Sequence, residues 1–274
     1  MPDQSVSPLL EDLSLPFVQR GLWTVLALAV AAGVLGTWIV LRGLAFFSHA
    51  VGTAAFPGLV LADGLGFAAA LGAIGMALLV AGAVAWLARR QPQAEDSLTA
   101  LVLAGALAAG VILASDVFGS QARVDTLLFG SLLAVDGADI AFAWLAAGLV
   151  LAATVVGGSR WLATGFDPGA ARAAGLRSGA PDALLLVLVA VVAVATLSVV
   201  GALLAGALLV VPAATTRLVT SRMRTWQLAT VALATLEGAG GLLLAVEANA
   251  PPGATIAVLA GAIFAATALV RAWP

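Results

Sequence analysis

Apolar residues fill most of this chain in runs of about 20, separated by short polar segments. A helix needs about 20 apolar residues to cross a hydrocarbon layer of about 30 Å, so each run predicts one membrane span. The pattern predicts an all-α, polytopic transmembrane helical bundle with about eight or nine spans. The runs cover residues 18–41, 50–65, 67–87, 98–114, 140–156, 183–200, 203–219, 226–246 and 254–270.

Two of these runs are irregular. The second is short and contains Pro57 and Gly58, which predicts an interrupted helix that lines a polar cavity. Only residues 198–201 separate the sixth run from the seventh, so the count is eight spans if these two runs join and nine if they do not. No soluble segment or internal repeat divides the chain, and we expect residues 1–274 to fold as one transmembrane domain.

The arginines predict the orientation, because loops rich in Arg and Lys remain on the cytoplasmic side. They cluster after the third run, in the loop 158–182 and after the seventh run. We therefore predict that these three loops are cytoplasmic and that the acidic segment 1–17 is external. The clustered residues are Arg89, Arg90, Arg160, Arg172, Arg177, Arg217, Arg222 and Arg224; Arg42 and Arg271 fit the same side.

The composition fits a multi-pass protein of the cell membrane, surrounded by lipid. Hydrophobic residues make up 62% of the chain and charged residues 9%, and the mean hydropathy is +1.13. The chain has no cysteine, which excludes disulfides and thiolate chemistry, and its net charge of −2 gives no reason to expect nucleic acid binding. It also has no lysine, and hence no P-loop, and no His-Glu-x-x-His or Gly-x-Ser-x-Gly motif. We expect neither an enzyme nor an intrinsic cofactor, so active transport would need another polypeptide or an ion gradient.

A polar segment at residues 165–176 predicts a short capped helix within the loop 158–182. Asp167 can accept the first free backbone N–H groups, Pro168 suits the first turn, and Gly175 offers a left-handed exit. A punctuated helix in a cytoplasmic loop indicates a docking element for a soluble partner. The candidate docking residues are Phe166, Asp167, Pro168, Arg172, Gly175 and Leu176.

His49 is the only histidine and lies at the start of the second run. Neutral imidazole is a common metal ligand, and Thr53 follows four residues later on the same helix face. Together with Ser48, these side chains would form a polar stripe along a pathway. The alternative is a histidine at a helix end that bonds to the backbone or faces lipid headgroups.

Glu237 lies in the middle of the eighth run. A charge near the bilayer centre costs about 3 kcal/mol on insertion scales, so such a residue is a functional candidate by default. The alternative is a protonated or hydrogen-bonded carboxyl group that fixes helix packing against small neighbouring residues.

Several motifs occur in an order and spacing that resemble the membrane permease subunits of ATP-binding-cassette (ABC) importers for zinc, manganese or iron. They lie at residues 16–20, 41–46, 57–58, 128–133, 166–176, 200–217 and 252–256, and the segment 200–217 is the strongest match.

This resemblance implies a homodimeric or pseudo-dimeric permease in which a divalent metal moves along the subunit contact by alternating access. It also implies cytoplasmic ABC ATPase subunits that bind ATP and engage the segment from Asp167 to Leu176. An extracytoplasmic metal-binding protein would deliver the substrate.

The pathway motif departs from this family. Such permeases typically carry Asp and, four residues later, His, in a pattern like Gly-Asp-Ala-x-Ser-His. An ungapped alignment places His49 at the Asp position and Thr53 at the His position, so the ligand pair is not reproduced. A dimer would present two copies of His49, and nitrogen ligands modestly favour zinc over manganese. Zinc or manganese is the expected substrate, and a non-metal substrate stays open.

Two other function classes compete with the importer. A stand-alone secondary transporter would use Glu237 as a proton relay, and it would leave the docking helix unexplained. An intramembrane enzyme would need a nucleophile with a base, or a metal site with several ligands, and one histidine with one glutamate makes a poor case for either.

Overall fold

The structure is a computed structural model that describes residues 15–90, 95–117, 130–131, 135–176, 179–201 and 205–272. These ranges contain α-helices and a single π-helical turn at Leu113–Val117, and no strand. The predicted all-α fold is therefore confirmed. The helices are α1 (Pro16–Arg42), α2 (Ala45–Leu65), α3 (Ala69–Arg90), α4 (Glu95–Ile112), α5 (Gly137–Phe166), α6 (Pro168–Ala173), α7 (Gly179–Ala195), α8 (Leu197–Val200), α9 (Ala205–Arg217), α10 (Met223–Ala248) and α11 (Pro252–Ala272).

Among the described residues, seven helices are long and apolar enough to cross a membrane: α1 to α5, α10 and α11. The prediction of eight or nine spans is thus slightly wrong. The sixth and seventh predicted runs are divided among α7, α8 and α9, and the chain turns at Gly201, whose φ is +82°. The 17 residues of α7 rise about 25 Å, which is short of a full crossing.

The predicted interruption of the second span is also wrong. Helix α2 is continuous for 21 residues and contains Pro57 in its interior. A proline removes a single backbone donor, and close packing offsets that loss. A Cβ added to Gly58 would collide with the carbonyl of Gly72 on α3, while one on Gly110 of α4 would meet the Phe56 ring. Helix α2 therefore runs unbroken through Pro57 and packs closely against its neighbours.

Helix α1 is the central element of the bundle. It packs chiefly against α10, α5 and α9. Glycines permit the closest crossings: a Cβ on Gly33 would lie 2.7 Å from Cα of Val231 on α10, and one on Gly238 would lie 2.6 Å from Val25. Small residues at these crossings supply the close contact that helix association in lipid requires.

Several helix ends meet at one end of the bundle, which we call the arginine end. Leu41 of α1, Ala171 of α6, Arg217 of α9 and Trp226 of α10 line one groove there. Near the end of α3, Trp86 shares a second cavity with the ends of α1 and α7. The arginine-bearing ends of α1 and α9 thus lie beside α6, and the end of α3 lies near the ends of α1 and α7, which agrees with a one-sided placement of these arginines.

The outer faces of the long helices are apolar. Leu101, Val155, Leu236 and Leu269 are all more than two-thirds exposed, and each lies on a different long helix. Such side chains suit contact with lipid tails. Together with the seven long apolar helices, they identify an integral multi-pass membrane protein.

Candidate functional site

Helix α6 forms where the sequence predicts a capped helix. The Asp167 carboxylate accepts the backbone N–H of Ala170 at 2.8 Å, and Pro168 occupies the first turn. At the other end, Gly175 adopts φ +75° and the Leu176 N–H donates to the Ala171 carbonyl at 3.0 Å. Both ends of this short helix are therefore fixed by local hydrogen bonds.

An open groove of about 670 Å³ runs beside α6 at the arginine end. Its walls come from α1, α5, α6 and the segment that joins α9 to α10, and most of its lining is apolar. Phe166 also lines the groove and is 81% exposed. The Arg172 side chain lies along α6, where its Nε donates to the Pro168 carbonyl at 3.1 Å. The loop thus presents an exposed apolar side chain beside a helix that is capped at both ends.

The candidate pathway residues lie together in the first three turns of α2. Ser48 and Thr53 are buried, and their hydroxyls donate to the carbonyls of Ala45 at 2.8 Å and His49 at 3.1 Å. Both hydroxyl oxygens keep lone pairs that a cation could use. His49 is half-buried, and no hydrogen bond joins its imidazole to the part of the chain that the structure describes. A Cβ on Gly206 of α9 would lie 2.8 Å from Nδ1 of His49, so α9 packs directly on this side chain.

Glu237 is fully buried in α10, and neither carboxylate oxygen has a hydrogen-bond partner among the described residues. Its neighbour Gly238 faces α1, and Gly241, one turn later, packs against Ile256 of α11. The structure does not pair Glu237 with His49, since α2 packs chiefly on α3, α4, α9 and α7, and α10 on α1, α11 and α9. The two intramembrane candidates therefore lie in different parts of the bundle.

Metal-ligand clusters are missing from the described ranges, in which no three His, Asp or Glu side chains are grouped closely enough to hold an ion. The arrangement around His49 offers one imidazole with nearby hydroxyl and carbonyl oxygens.

One polar network was missed by the sequence analysis, which used Arg42 only to set the orientation. Nη2 of Arg42 donates to Oγ1 of Thr164 on α5 at 2.6 Å and to Oδ1 of Asp182 on α7 at 2.7 Å. One turn deeper, Nε1 of Trp161 donates to the Pro181 carbonyl at 2.8 Å. The sequence does contain a signal, because Arg42 and Asp182 are opposite charges at the predicted cytoplasmic ends of two apolar runs.

Comparison with known proteins gives consistent matches. A family model described as the ABC 3 transport family matches residues 14–271. The manganese transport system membrane protein MntC of Halalkalibacterium halodurans is 29% identical over 183 residues, which are 66% of this chain and 62% of that protein. The manganese import system permease protein ScaB of Streptococcus gordonii is 32% identical over 180 residues, 65% of this chain and 63% of that protein. The chain thus spans less than two thirds of the length of these curated relatives.

A solved structure, PsaBC from Streptococcus pneumoniae in complex with Fab, matches over more of the chain. It is 27% identical, and the superposition has a TM-score of 0.85 and covers 94% of each chain. The helical arrangement described above is therefore shared with that protein nearly from end to end.

Proposed function

The chain belongs to the ABC 3 transport family, and from that premise we propose that it is the membrane permease subunit of an ATP-driven importer of divalent transition-metal ions. The observation that carries the proposal is the capped helix α6 at the arginine end, set beside an exposed Phe166. Relatives described as manganese transport and import proteins support the choice of a metal substrate.

The partner ATPase subunits would transmit the energy of ATP hydrolysis to this chain through α6. The chain has no lysine and so no P-loop, and ATP binding and hydrolysis would therefore reside in cytoplasmic ABC ATPase subunits. These subunits would contact Phe166 and the segment from Asp167 to Leu176. Because α6 is fixed at both ends, a displacement of the ATPase would move it as a unit together with α5 and α7.

The metal would pass along α2. His49 would be a transient ligand, with Thr53 and Ser48 lining the same pathway, and a homodimer would bring two imidazoles to the subunit contact. Zinc and manganese are the expected substrates: the relatives are described for manganese, and the imidazole modestly favours zinc. An extracytoplasmic metal-binding protein would deliver the ion at the end of the bundle opposite α6.

A second candidate, a stand-alone proton-coupled transporter, rests on the buried carboxyl of Glu237, which has no partner among the described residues. It gives no role to α6, so the importer is preferred. The substitution Glu237→Gln separates the two candidates, because the amide keeps the shape of the side chain and cannot relay a proton. An importer would retain uptake in this variant, and a proton-coupled transporter would lose it.

The test is metal uptake into proteoliposomes that contain this chain with and without a candidate partner ATPase. Zinc, manganese and iron are offered in competition, with ATP or with an imposed proton gradient. The proposal expects uptake only with both partner and ATP, and the competition ranks the metals. Uptake that needs neither partner nor ATP and follows the proton gradient would overturn it.

A further inference from the structure

We propose that Arg42 is a positioning residue that ties the docking loop to the pathway helix α2, a role that rests on the proposed function. Arg42 ends α1, and only Gly43 and Leu44 separate it from the start of α2. Its guanidinium bonds to both stems of the loop that carries α6. Arg42 therefore contacts the two helices that flank α6 and adjoins the helix that carries His49.

The two stems are joined through one nitrogen atom. Thr164 lies three residues before Asp167, and Asp182 lies in the first turn of α7. Nη2 of Arg42 reaches Oγ1 of Thr164 at 2.6 Å and Oδ1 of Asp182 at 2.7 Å. This guanidinium thus joins the end of α5 to the start of α7 on either side of α6.

Thr164 and Asp182 are both well suited to accept a hydrogen bond from the Arg42 guanidinium. The Thr164 hydroxyl donates to the Arg160 carbonyl at 2.8 Å, so its oxygen is free to accept from Arg42. The Asp182 carboxylate sits at the N-terminus of α7, where the helix dipole favours a negative charge. The Arg42 side chain is 14% exposed and that of Asp182 is 35% exposed, so this charge-assisted bond is only partly shielded from solvent.

A second contact braces the same three helices one turn deeper. The Trp161 indole donates to the Pro181 carbonyl, and its ring packs edge-on against Trp38 of α1 with centroids 5.6 Å apart. The Trp161 contacts therefore also connect the stems to α1. Only two residues connect α1 to α2, so a displacement of the end of α1 would also displace the first turns of α2.

Removal of the Arg42 hydrogen bonds should lower transport per ATP and leave ATP hydrolysis intact. The ATPase subunits would still bind α6 and hydrolyse ATP, because α6 keeps its own caps. Fewer metal ions would move per ATP, because the Trp161 contacts alone would transmit only part of the motion of the loop to α2. Coupling between two sites requires an element that both sites bias, and Arg42 would be that link.

The experiment measures ATP hydrolysis and manganese uptake together, in proteoliposomes of the full chain with its partner ATPase. Arg42→Gln and Asp182→Asn should lower the ions moved per ATP about tenfold, equivalent to about 1.4 kcal/mol of coupling, with hydrolysis retained. Thr164→Val, which removes one bond, should have a smaller effect, and Arg42→Lys should restore part of the ratio. Arg271→Gln is the matched control, because Arg271 is also an arginine in the last turn of a helix.

A parallel fall of hydrolysis and uptake in all four variants, or an unchanged ratio, would overturn the role of Arg42. Failure of the proposed function would look different: the unaltered chain would take up no metal with ATP.

A second measurement tests the bonds of Arg42 without measuring transport. The chain has no cysteine, so spin labels can be placed at Ala173→Cys on α6 and Leu65→Cys on α2, both exposed positions. The distance distribution should be narrow and should broaden with Arg42→Gln; equal widths would refute the tie.

Discussion

At the scale of single residues, Asp167 provides a sharp test of the docking helix. Asp167→Ala removes the cap of α6, which costs about 1 kcal/mol of helix stability, and should lower the coupling of ATP hydrolysis to uptake about fivefold. Asp167→Asn should keep coupling near the original level, because asparagine caps helices nearly as well. The measurement is transport per ATP in proteoliposomes.

The matched control for this prediction is Asp136→Ala. Asp136 caps α5 at its other end by accepting the Asp139 N–H at 2.9 Å, so this variant loses a similar bond far from α6. If both alanine variants change coupling equally, α6 has no special part in the mechanism.

His49 tests the pathway. If the imidazole binds the passing metal, His49→Ala should lower uptake at least about tenfold, as loss of a metal-site contact commonly does. Expression and membrane insertion should change little, because the side chain is half-buried and has no hydrogen bond to the described residues. The measurement compares uptake with the amount of inserted protein. An equal loss of both would assign His49 a structural role only.

Local chemistry explains which residues could be predicted from sequence. The cap at Asp167 and the exit at Gly175 act over three or four residues, so the sequence contains their whole explanation. The bonds from Arg42 to Thr164 and Asp182 join residues 122 and 140 positions apart. Such pairs depend on how helices pack, and no local pattern encodes them.

At the scale of helices, the contact between α2 and α9 depends on Gly206. A methyl group there would lie 2.8 Å from Nδ1 of His49 and 3.0 Å from its Cα, so Gly206→Ala must push the two helices apart. Overpacking of this kind costs about 1–3 kcal/mol. We expect reduced thermal stability and reduced uptake. Gly261→Ala on α11 is the control, because a Cβ there meets nothing within 4 Å.

Some helix boundaries beside polar residues were predicted well, but the fifth run was predicted to end at residue 156 and α5 continues to Phe166. The ends of α1 near Arg42 and of α10 near Ala248 lie close to polar or turn residues. Within the apolar segment 183–219, the division into α7, α8 and α9 follows a turn at Gly201 that hydropathy alone does not reveal. Conversely, Pro57 suggests a break that the contact between Gly58 and Gly72 prevents.

At the scale of the whole molecule, the orientation can be tested by labelling. The arginine end should face the cytoplasm and the turn between α10 and α11 should face outside. Cysteines introduced at Ala173 and Ala248, both exposed, would be the only thiols in the chain. A membrane-impermeant maleimide should label Ala248→Cys in intact cells and Ala173→Cys only after permeabilisation. The reverse pattern would invert the topology and with it the docking role of α6.

The central position of α1 also has a consequence for biosynthesis. Its main packing partners, α5, α9 and α10, all lie far downstream, and α10 begins 181 residues after α1 ends, counting from Arg42 to Met223. At a synthesis rate of about 5–20 residues per second, α1 waits roughly 10 to 40 s for its largest contact. Its glycine-lined face must meanwhile rest against lipid or the insertion machinery. The helix at the centre of the finished bundle is thus left incompletely packed for most of translation, and a ribosome that stalls between α5 and α10 would leave its most buried surface uncovered.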